Sequence, residues 1–361
     1  MRLFENSAVY NSYRPRLGRL TQGAPTFDAA IDIFFNDRFG ASHFLDPVLK
    51  RRPETFFANG DDETSQRLWA KEKGLADDVA LEQILLAQVE EHKTEVFYNH
   101  DPMRYGDIFL KRLPGSVKRT VAWRAAPSAG GQFLTHDVIV NNFPFLLEGY
   151  RAQGVRAEIL FPAHDPELDA YAERQDRPVD ILFVGTYSRH HRTRVTMLET
   201  IARLRSRMNV VMHLDISRFT RLAESPLGWV GPLRKDRRSR DIRAISRPPL
   251  FGRDLLNAIG EAKIVVNGAI DMAGPDRGNM RIWEALGSGA ALVSDKGNYP
   301  PGMEEGQHFH SYGDADELAA TLKMLMADPA TRLSTAAQGR DLIRTRYSKD
   351  AQWQRFLEIV A

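Results

Sequence analysis

Residues 274–295 read G-P-D-R-G-N-M-R-I-W-E-A-L-G-S-G-A-A-L-V-S-D. The stretch reads as a polar loop, then a short helix, then a buried strand. Pro275 and Gly278 keep the loop irregular, and Asn279 stands where a helix N-cap belongs. A helix is expected over Met280–Leu286, with small residues closing it and an apolar strand over Ala290–Ser294. Loop, helix and strand in that order form one link of a parallel α/β sheet. Asp276 lies in the loop, and Glu284 follows eight positions later on the helix. Such an arrangement suits a ligand with hydroxyls and phosphates at the carboxyl edge of the sheet. Carboxylates accept paired bonds from a diol, and the N–H groups at a helix start attract anions.

The same alternation extends outward in both directions. Before the stretch, strands are expected at Asp180–Val184, Asn209–Leu214 and Lys263–Asn267; after it, at His308–Ser311. Helices are expected at Arg192–Arg205, Arg253–Ala262 and Asp316–Ala327. Earlier in the chain, expected strands at Thr55–Ala58, Glu95–Tyr98, Arg119–Trp123, Asp137–Val140 and Glu158–Phe161 alternate with helices such as Val79–Glu91 and Pro144–Gln153. Asp165–Pro178, polar and carrying two prolines, reads as a linker. The fold class is therefore α/β, with two Rossmann-like domains facing a cleft. The expected boundaries are 1–165, 166–345, and a last amphipathic helix over 346–361 that packs back on the first domain. Ala29–Phe35 reads equally as helix or strand.

Composition sets limits on this reading. The chain has 361 residues, enough for two domains, with 43% hydrophobic and 27% charged residues. A net charge of +2 announces neither a nucleic-acid nor a membrane partner. With no cysteine, thiolate catalysis, disulfides and zinc–thiolate sites are excluded. No apolar run approaches the ~20 residues of a membrane span, and the start has no apolar signal core. A cytoplasmic location is expected, with peripheral contact at a membrane face compatible with it.

In F-V-G-T-Y-S-R-H-H-R-T-R, residues 183–194, a buried strand ends at Val184 and Gly185-Thr186 turns toward a helix. Gly185, Thr186 and Ser188 are placed to cradle phosphate oxygens. Arg189, Arg192 and Arg194 crowd the helix start, where cations are unfavourable unless an anion compensates them. A solvated basic face is the plainer reading. The G-x-G-x-x-G fingerprint of dinucleotide binding is absent. Asp276 can accept bonds from two sugar hydroxyls and Glu284 from a ribose diol; the plainer readings are turn chemistry, shared by Asp271, and an exposed helix glutamate. Asp314 and Asp316 match D-x-D but read as a helix cap. His308 and His310 lack a third metal ligand.

These segments resemble the GT-B glycosyltransferases, in particular the bacterial spore-maturation type and the broad family 4-like enzymes that use sugar nucleotides. The matching stretches are F-V-G-T-Y-S-R, F-G-R-D-L-L-N-A-I-G-E-A-K-I-V-V-N-G, R-G-N-M-R-I-W-E-A-L-G-S-G-A-A-L-V-S-D and D-E-L-A-A-T-L-K-M-L-M-A-D-P-A-T-R, covering most of residues 180–345. The first half matches in pattern only, through D-V-I-V-N-N-F-P and G-V-R-A-E-I-L-F-P-A-H-D-P. The resemblance implies transfer of a sugar from a nucleotide-diphosphate sugar, with uridine the expected base, to an acceptor hydroxyl. That acceptor is a surface glycan, a lipid-linked group or a protein. By the same resemblance Asp276 touches the transferred sugar, Glu284 the nucleotide ribose, and Arg189 and Arg192 the diphosphate. Asn279, Met280 and Arg281 complete the donor site. Asp276 stands where the family usually has glutamate, and the family's lysine beyond the arginine is missing. The fold generally dispenses with a metal ion and needs no separate cofactor; the acid pair favours retention.

Acceptor residues and a base should come from strand ends of the first domain. His100 and Asp101, in F-Y-N-H-D-P, are the leading pair, as base or as hydrogen-bonding guides for the sugar. Asn59, Arg124 and Asn141, the last beside Asn142, end other strands and are candidates for the acceptor side. The run R-K-D-R-R-S-R-D-I-R-A-I-S-R, residues 234–247, reads as a solvated loop, or as a contact for an anionic lipid carrier or nucleic acid. Competing functions are a DNA-base glycosyltransferase of this fold, a nucleotide-sugar epimerase or hydrolase, and a non-catalytic sugar-nucleotide binding module.

Overall fold

The computed structural model describes residues 1–127, 131, 133–188, 192–228, 236–268 and 273–361, without the side chains of Arg192 and Leu227. The chain divides into two compact units. One comprises Met1–Ala163, Ser348–Ala361 and a short piece ending at Gly274; the other runs from His164 to Tyr347 apart from that piece.

The first unit is built on a six-stranded sheet: β1 (Leu3–Ser7), β2 (Thr55–Asn59), β3 (Val96–Asn99), β4 (Arg119–Trp123), β5 (Val138–Asn141) and β6 (Ala157–Ile159), in the order β2-β1-β3-β4-β5-β6. Every pairing is parallel. β1 lies outside the strands expected from sequence. Its five residues L-F-E-N-S are interrupted by a glutamate, yet all five are buried because the strand sits between β2 and β3. The ambiguous segment is a helix, Phe27–Asp37, capped by Thr26 through the N–H of Ala29. Phe27, Ala30, Ile31 and Phe34 recur at helical spacing along its buried stripe. The last helix, Lys349–Val360, is capped by Ser348 and places Phe356 against Tyr98 with ring centres 5.1 Å apart.

The second unit holds β7 (Val179–Tyr187), β8 (Val210–Ile216), β9 (Ser246–Arg247), β10 (Ala262–Val266), β11 (Ala291–Asp295) and β12 (His310–Tyr312), in the order β12-β11-β10-β7-β8-β9 and again all parallel. Counted from β7, this is the doubly wound order 3-2-1-4-5-6. Met197, Leu198, Ile201 and Ala202 of helix Arg192–Arg203 pack on Ile181, Phe183, Val210 and Met212. Burying each large apolar side chain contributes about 1.5–3 kcal/mol, so the sheet is fixed by packing more than by helix propensity.

Three expectations are corrected. The segment read as a linker contains a helix, Glu167–Ala172, with Leu168 and Tyr171 buried against Leu256. β7 does not turn at Gly185 but continues to Tyr187, pairing Gly185 with Leu214 and Thr186 with Asp215. The basic run is more than a solvated loop. Ser239 caps helix Arg240–Ile245, which buries Ile242, and Arg238 grips Glu224 with two bonds of 2.8 and 2.6 Å. Residues 234 and 235 of that run lie outside the described residues.

Candidate active site

In the second unit the direction of winding reverses between β7 and β10. The carboxyl ends of those strands flank the crevice where ligands of doubly wound sheets collect. Arg194 ties them together. It is buried, donates from Nη1 to Thr186 Oγ1 at 3.1 Å and from Nη2 to the Gly268 carbonyl at 2.5 Å. This arginine near a helix start thus takes hydroxyl and carbonyl oxygen from two strand ends. Arg189 and Asp271 lie outside the described residues, as does the side chain of Arg192.

Beyond β10, Asn267 forms a reciprocal amide pair with Asn279. Asn267 Nδ2 donates to Asn279 Oδ1 at 2.9 Å, and Asn279 Nδ2 to Asn267 Oδ1 at 2.7 Å. Asn267 also donates to Ser294 Oγ at 2.9 Å and accepts from Tyr312 through its carbonyl at 2.9 Å. Asn279 does occupy the N-cap position of helix Met280–Gly287, but its side chain makes no cap bond. The expected capping role is corrected: the facing amide offers it two bonds where a cap offers one. The opening N–H groups of the helix therefore receive no side chain from Asn279, as an anion-accepting helix start requires.

The loop before that helix is strapped to the loop after β11. Arg277 N–H donates to the Asn298 carbonyl at 2.7 Å, and Asn298 N–H to the Pro275 carbonyl at 2.8 Å. Asp276 is buried and accepts from Asn298 Nδ2 at 3.4 Å, while Arg277 pairs with Asp295 at 2.6 Å. A Cβ at position 297 would stand 2.5 Å from the Pro275 carbonyl oxygen, so Gly297 permits the approach. On the helix, Arg281 pairs with Glu284, and both are largely buried. Burial pushes the Glu284 carboxyl above its usual range, with Arg281 opposing. Trp283 anchors the helix from the other side through its N–H to the Gly278 carbonyl at 3.0 Å.

The first unit brings its candidates to one edge as well. Asn59, His100, Arg124 and Asn141 end or follow β2, β3, β4 and β5. Asn141 is occupied structurally, donating to the Arg124 carbonyl at 2.8 Å and accepting from Phe143 N–H at 2.7 Å. Asn6, Asn99 and Gly60 form a buried amide net: Asn6 Nδ2 to Asn99 Oδ1 at 3.0 Å, and Gly60 N–H to Asn6 Oδ1 at 3.1 Å. Asp101 is pushed up, chiefly by burial, with Arg104 opposing. His100 is buried enough to be lowered to about 3, so its imidazole is neutral through the physiological range. Its Nε2 stands 3.5 Å from Oε1 of Glu5.

Sequence reasoning missed Glu5, Asn267 and Asn6, whose polar side chains lie inside strands or at their ends. Their only signal was a polar residue within a short apolar run. Asp314 caps its helix, accepting from Asp316 and Glu317 N–H at 2.9 Å. His308 accepts from Glu304 N–H at 3.1 Å, and His310 meets Thr335 at 3.3 Å. Among the described residues no group of three His, Asp or Glu could hold a metal ion, and no helix is long and apolar enough to cross a membrane.

Residues 191–358 match a family model described as glycosyl transferase-like. No curated protein matches the chain by sequence. Solved structures match over nearly the whole chain. HepE (Alr3699) of Anabaena, in complex with UDP and glucose, gives a TM-score of 0.61 at 12% identity, covering 99% of each chain. A glycosyltransferase of Rickettsia africae gives 0.60 at 10% identity, covering 99% of this chain and 97% of that one. AviGT4, a glycosyltransferase of avilamycin A biosynthesis, gives 0.55 at 13% identity, covering 99% and 96%. At these identities the likeness is one of fold. With its two parallel six-stranded sheets the chain has the GT-B fold, and its residues 191–358 are similar to the glycosyl transferase-like family.

Proposed function

We propose that the chain transfers a sugar from a nucleotide-diphosphate sugar, with uridine as the base, to a hydroxyl of a glycan, lipid-linked or protein acceptor. The observation that carries this reading is the carboxyl edge of the second sheet, where the Asn267–Asn279 pair locks a helix start without capping it. In this reading the N–H groups of Met280 and Arg281, with Arg189 and Arg192, hold the diphosphate. Glu284 accepts from the ribose diol, and Asp276 meets the transferred sugar. HepE, bound to UDP and glucose, supports uridine as the base.

The chemistry needs stabilisation of the charge that grows on the leaving diphosphate. Preorganised N–H groups and guanidinium groups supply it without reorganisation during the reaction, and no metal ion is required. Retention is the stereochemical reading, carried by Asp276 and Glu284, with His100 and Asp101 guiding hydroxyls in the first unit.

The test is a thermal-shift screen against UDP-, GDP-, TDP- and CMP-sugars, because a ligand that binds only the native state raises the melting temperature. A UDP-sugar should give the largest shift, and NMR of the transfer product should show the anomeric configuration of the donor. A protein that no sugar nucleotide stabilises does not use this site for a donor, and an inverted product ends the retaining assignment.

A further inference from the structure

Glu5 lies in the middle of β1, 1% exposed, and neither carboxyl oxygen has a hydrogen-bond partner among the described residues. The buried Nε2 of His100 is equally unpaired and stands 3.5 Å from Glu5 Oε1. That separation is too long for a hydrogen bond, and a shift of about 0.5 Å would make one. Buried polar groups in folded proteins are nearly always paired, so a carboxyl and an imidazole left open against each other call for an explanation. Their position supplies one. β1 and β3 flank the winding reversal of the first sheet, the place where an open α/β sheet receives ligands.

The imidazole has little freedom to turn. Tyr98 meets it edge-on at 4.3 Å between ring centres, and Trp123 lies parallel to it at 6.0 Å. With the ring plane held, the group at Nε2 decides which nitrogen carries the proton. We propose that Glu5 is a positioning residue for His100: its carboxyl group donates to Nε2, fixes the ring, and leaves Nδ1–H as the donor that meets a sugar hydroxyl or phosphoryl oxygen. This role rests on the glycosyl-transfer reading for its consequence, though not for its geometry.

Burial favours the neutral form of both partners, raising Glu5 and lowering His100. Lys349, on the last helix, opposes the first of these shifts, and its ammonium also donates to the His43 carbonyl. Tyr98 is the other titratable group facing Glu5, and it is raised by burial. A neutral carboxylic acid that donates inside an apolar site is an attested catalytic device. A neutral Nδ1–H donor also suits a retaining transfer, in which His100 guides a hydroxyl instead of removing its proton.

The test is imidazole ¹H–¹⁵N NMR on the full-length protein, with the His100 signal identified by its loss in His100→Gln. In the wild type the proton should sit on Nδ1 and the ring should stay neutral to about pH 5. Glu5→Gln, whose amide can donate to Nε2, should keep that tautomer. Glu5→Met should lose it and lower kcat at least about tenfold with KM changed less than about threefold, and Glu5→Gln should recover most of that loss. A wild-type proton on Nε2 overturns the proposal, as does a Glu5→Met tautomer unchanged from wild type. If Glu5→Met does not fold, the wild-type and Glu5→Gln spectra decide alone. A protein that turns over no sugar nucleotide yet gives these spectra would fail the transfer reading and keep the pairing.

Discussion

The amide pair at the carboxyl edge of the second sheet can be measured directly. Asn279→Ala deletes two hydrogen bonds, of 2.7 and 2.9 Å, to a side chain that is almost wholly buried. Each is worth about 0.5–1.5 kcal/mol net, and an orphaned buried acceptor adds about 1–3 kcal/mol. Asn267 Nδ2 keeps its bond to Ser294 Oγ, so only Oδ1 is orphaned. Together these give a loss of about 2–6 kcal/mol for the single substitution. Asn267→Ala, which also gives up the bond to Ser294 Oγ, should lose at least as much, and the double variant much less than the sum. The coupling should be about 1–3 kcal/mol, since the second deletion has no pair left to break. Urea titration of the full chain and the three variants measures it through the transition of the second unit. If the single effects add to within about 0.5 kcal/mol, the two amides are not a pair and the locked helix start is an error. The same substitution frees Asn279's helix to shift, so UDP-sugar affinity should fall with stability.

Other consequences are narrower. Glu284→Ala should weaken UDP binding at least about tenfold by calorimetry, the scale of a hydrogen bond to a charged group; unchanged affinity removes its ribose role. Arg189→Ala should raise the barrier to turnover by about 2–4 kcal/mol, as loss of one preorganised donor does, and a wild-type rate would end its phosphate assignment. Transfer should survive EDTA; complete loss restored by Mg²⁺ would contradict the metal-free reading. His100 is depressed below its unfolded value, so its contribution to stability is present above about pH 6.5 and is lost as pH falls toward 3. His100→Gln should therefore flatten the acid decline by up to about 1.4 kcal/mol per pH unit in that window. Glu5, Lys349 and Tyr98 titrate in both proteins, and an identical slope would show that His100 is not held neutral.

Much of the fold was legible because its cause is periodicity. The residues of helix Met280–Gly287 and of strands β10 and β11 carry their burial pattern in sequence, with Ile282, Trp283, Ala285 and Leu286 all turned inward. β1 was not legible. Glu5 and Asn6 break its apolar run, and what makes them buried is non-local: β2, β3 and the last helix. The reach of β7 to Tyr187 was hidden for a related reason, since Gly185 and Thr186 have turn chemistry and are held extended by pairing with β8. At the site, residue types were readable but partners were not. Asn279 reads as a cap until Asn267 is placed opposite it. Arg194 reads as one of three basic residues at a helix start, and its hold on the Thr186 and Gly268 oxygens shows only in the fold.

The two carboxyl edges, each taken within its own unit, are finished to different degrees, and the difference bears on what each does. At the second sheet the amides of Asn267 and Asn279 are matched to each other and to Ser294, and Asn298 holds Asp276 with its side chain and the neighbouring loop with its main chain. Matched amides give a rigid frame, which suits holding a large polar ligand in one pose. At the first sheet the amides Asn6 and Asn99 are matched, but the ionisable pair Glu5 and His100 is left open. Left unmade, a bond of this kind would cost about 1–3 kcal/mol, and the small movement that lets the Glu5 carboxyl donate to Nε2, as proposed above, removes that cost. A ligand oxygen that accepts from Nδ1–H of His100 makes Nε2 more basic and so strengthens the bond from Glu5. The strength of that coupling is within reach of the Glu5 variants.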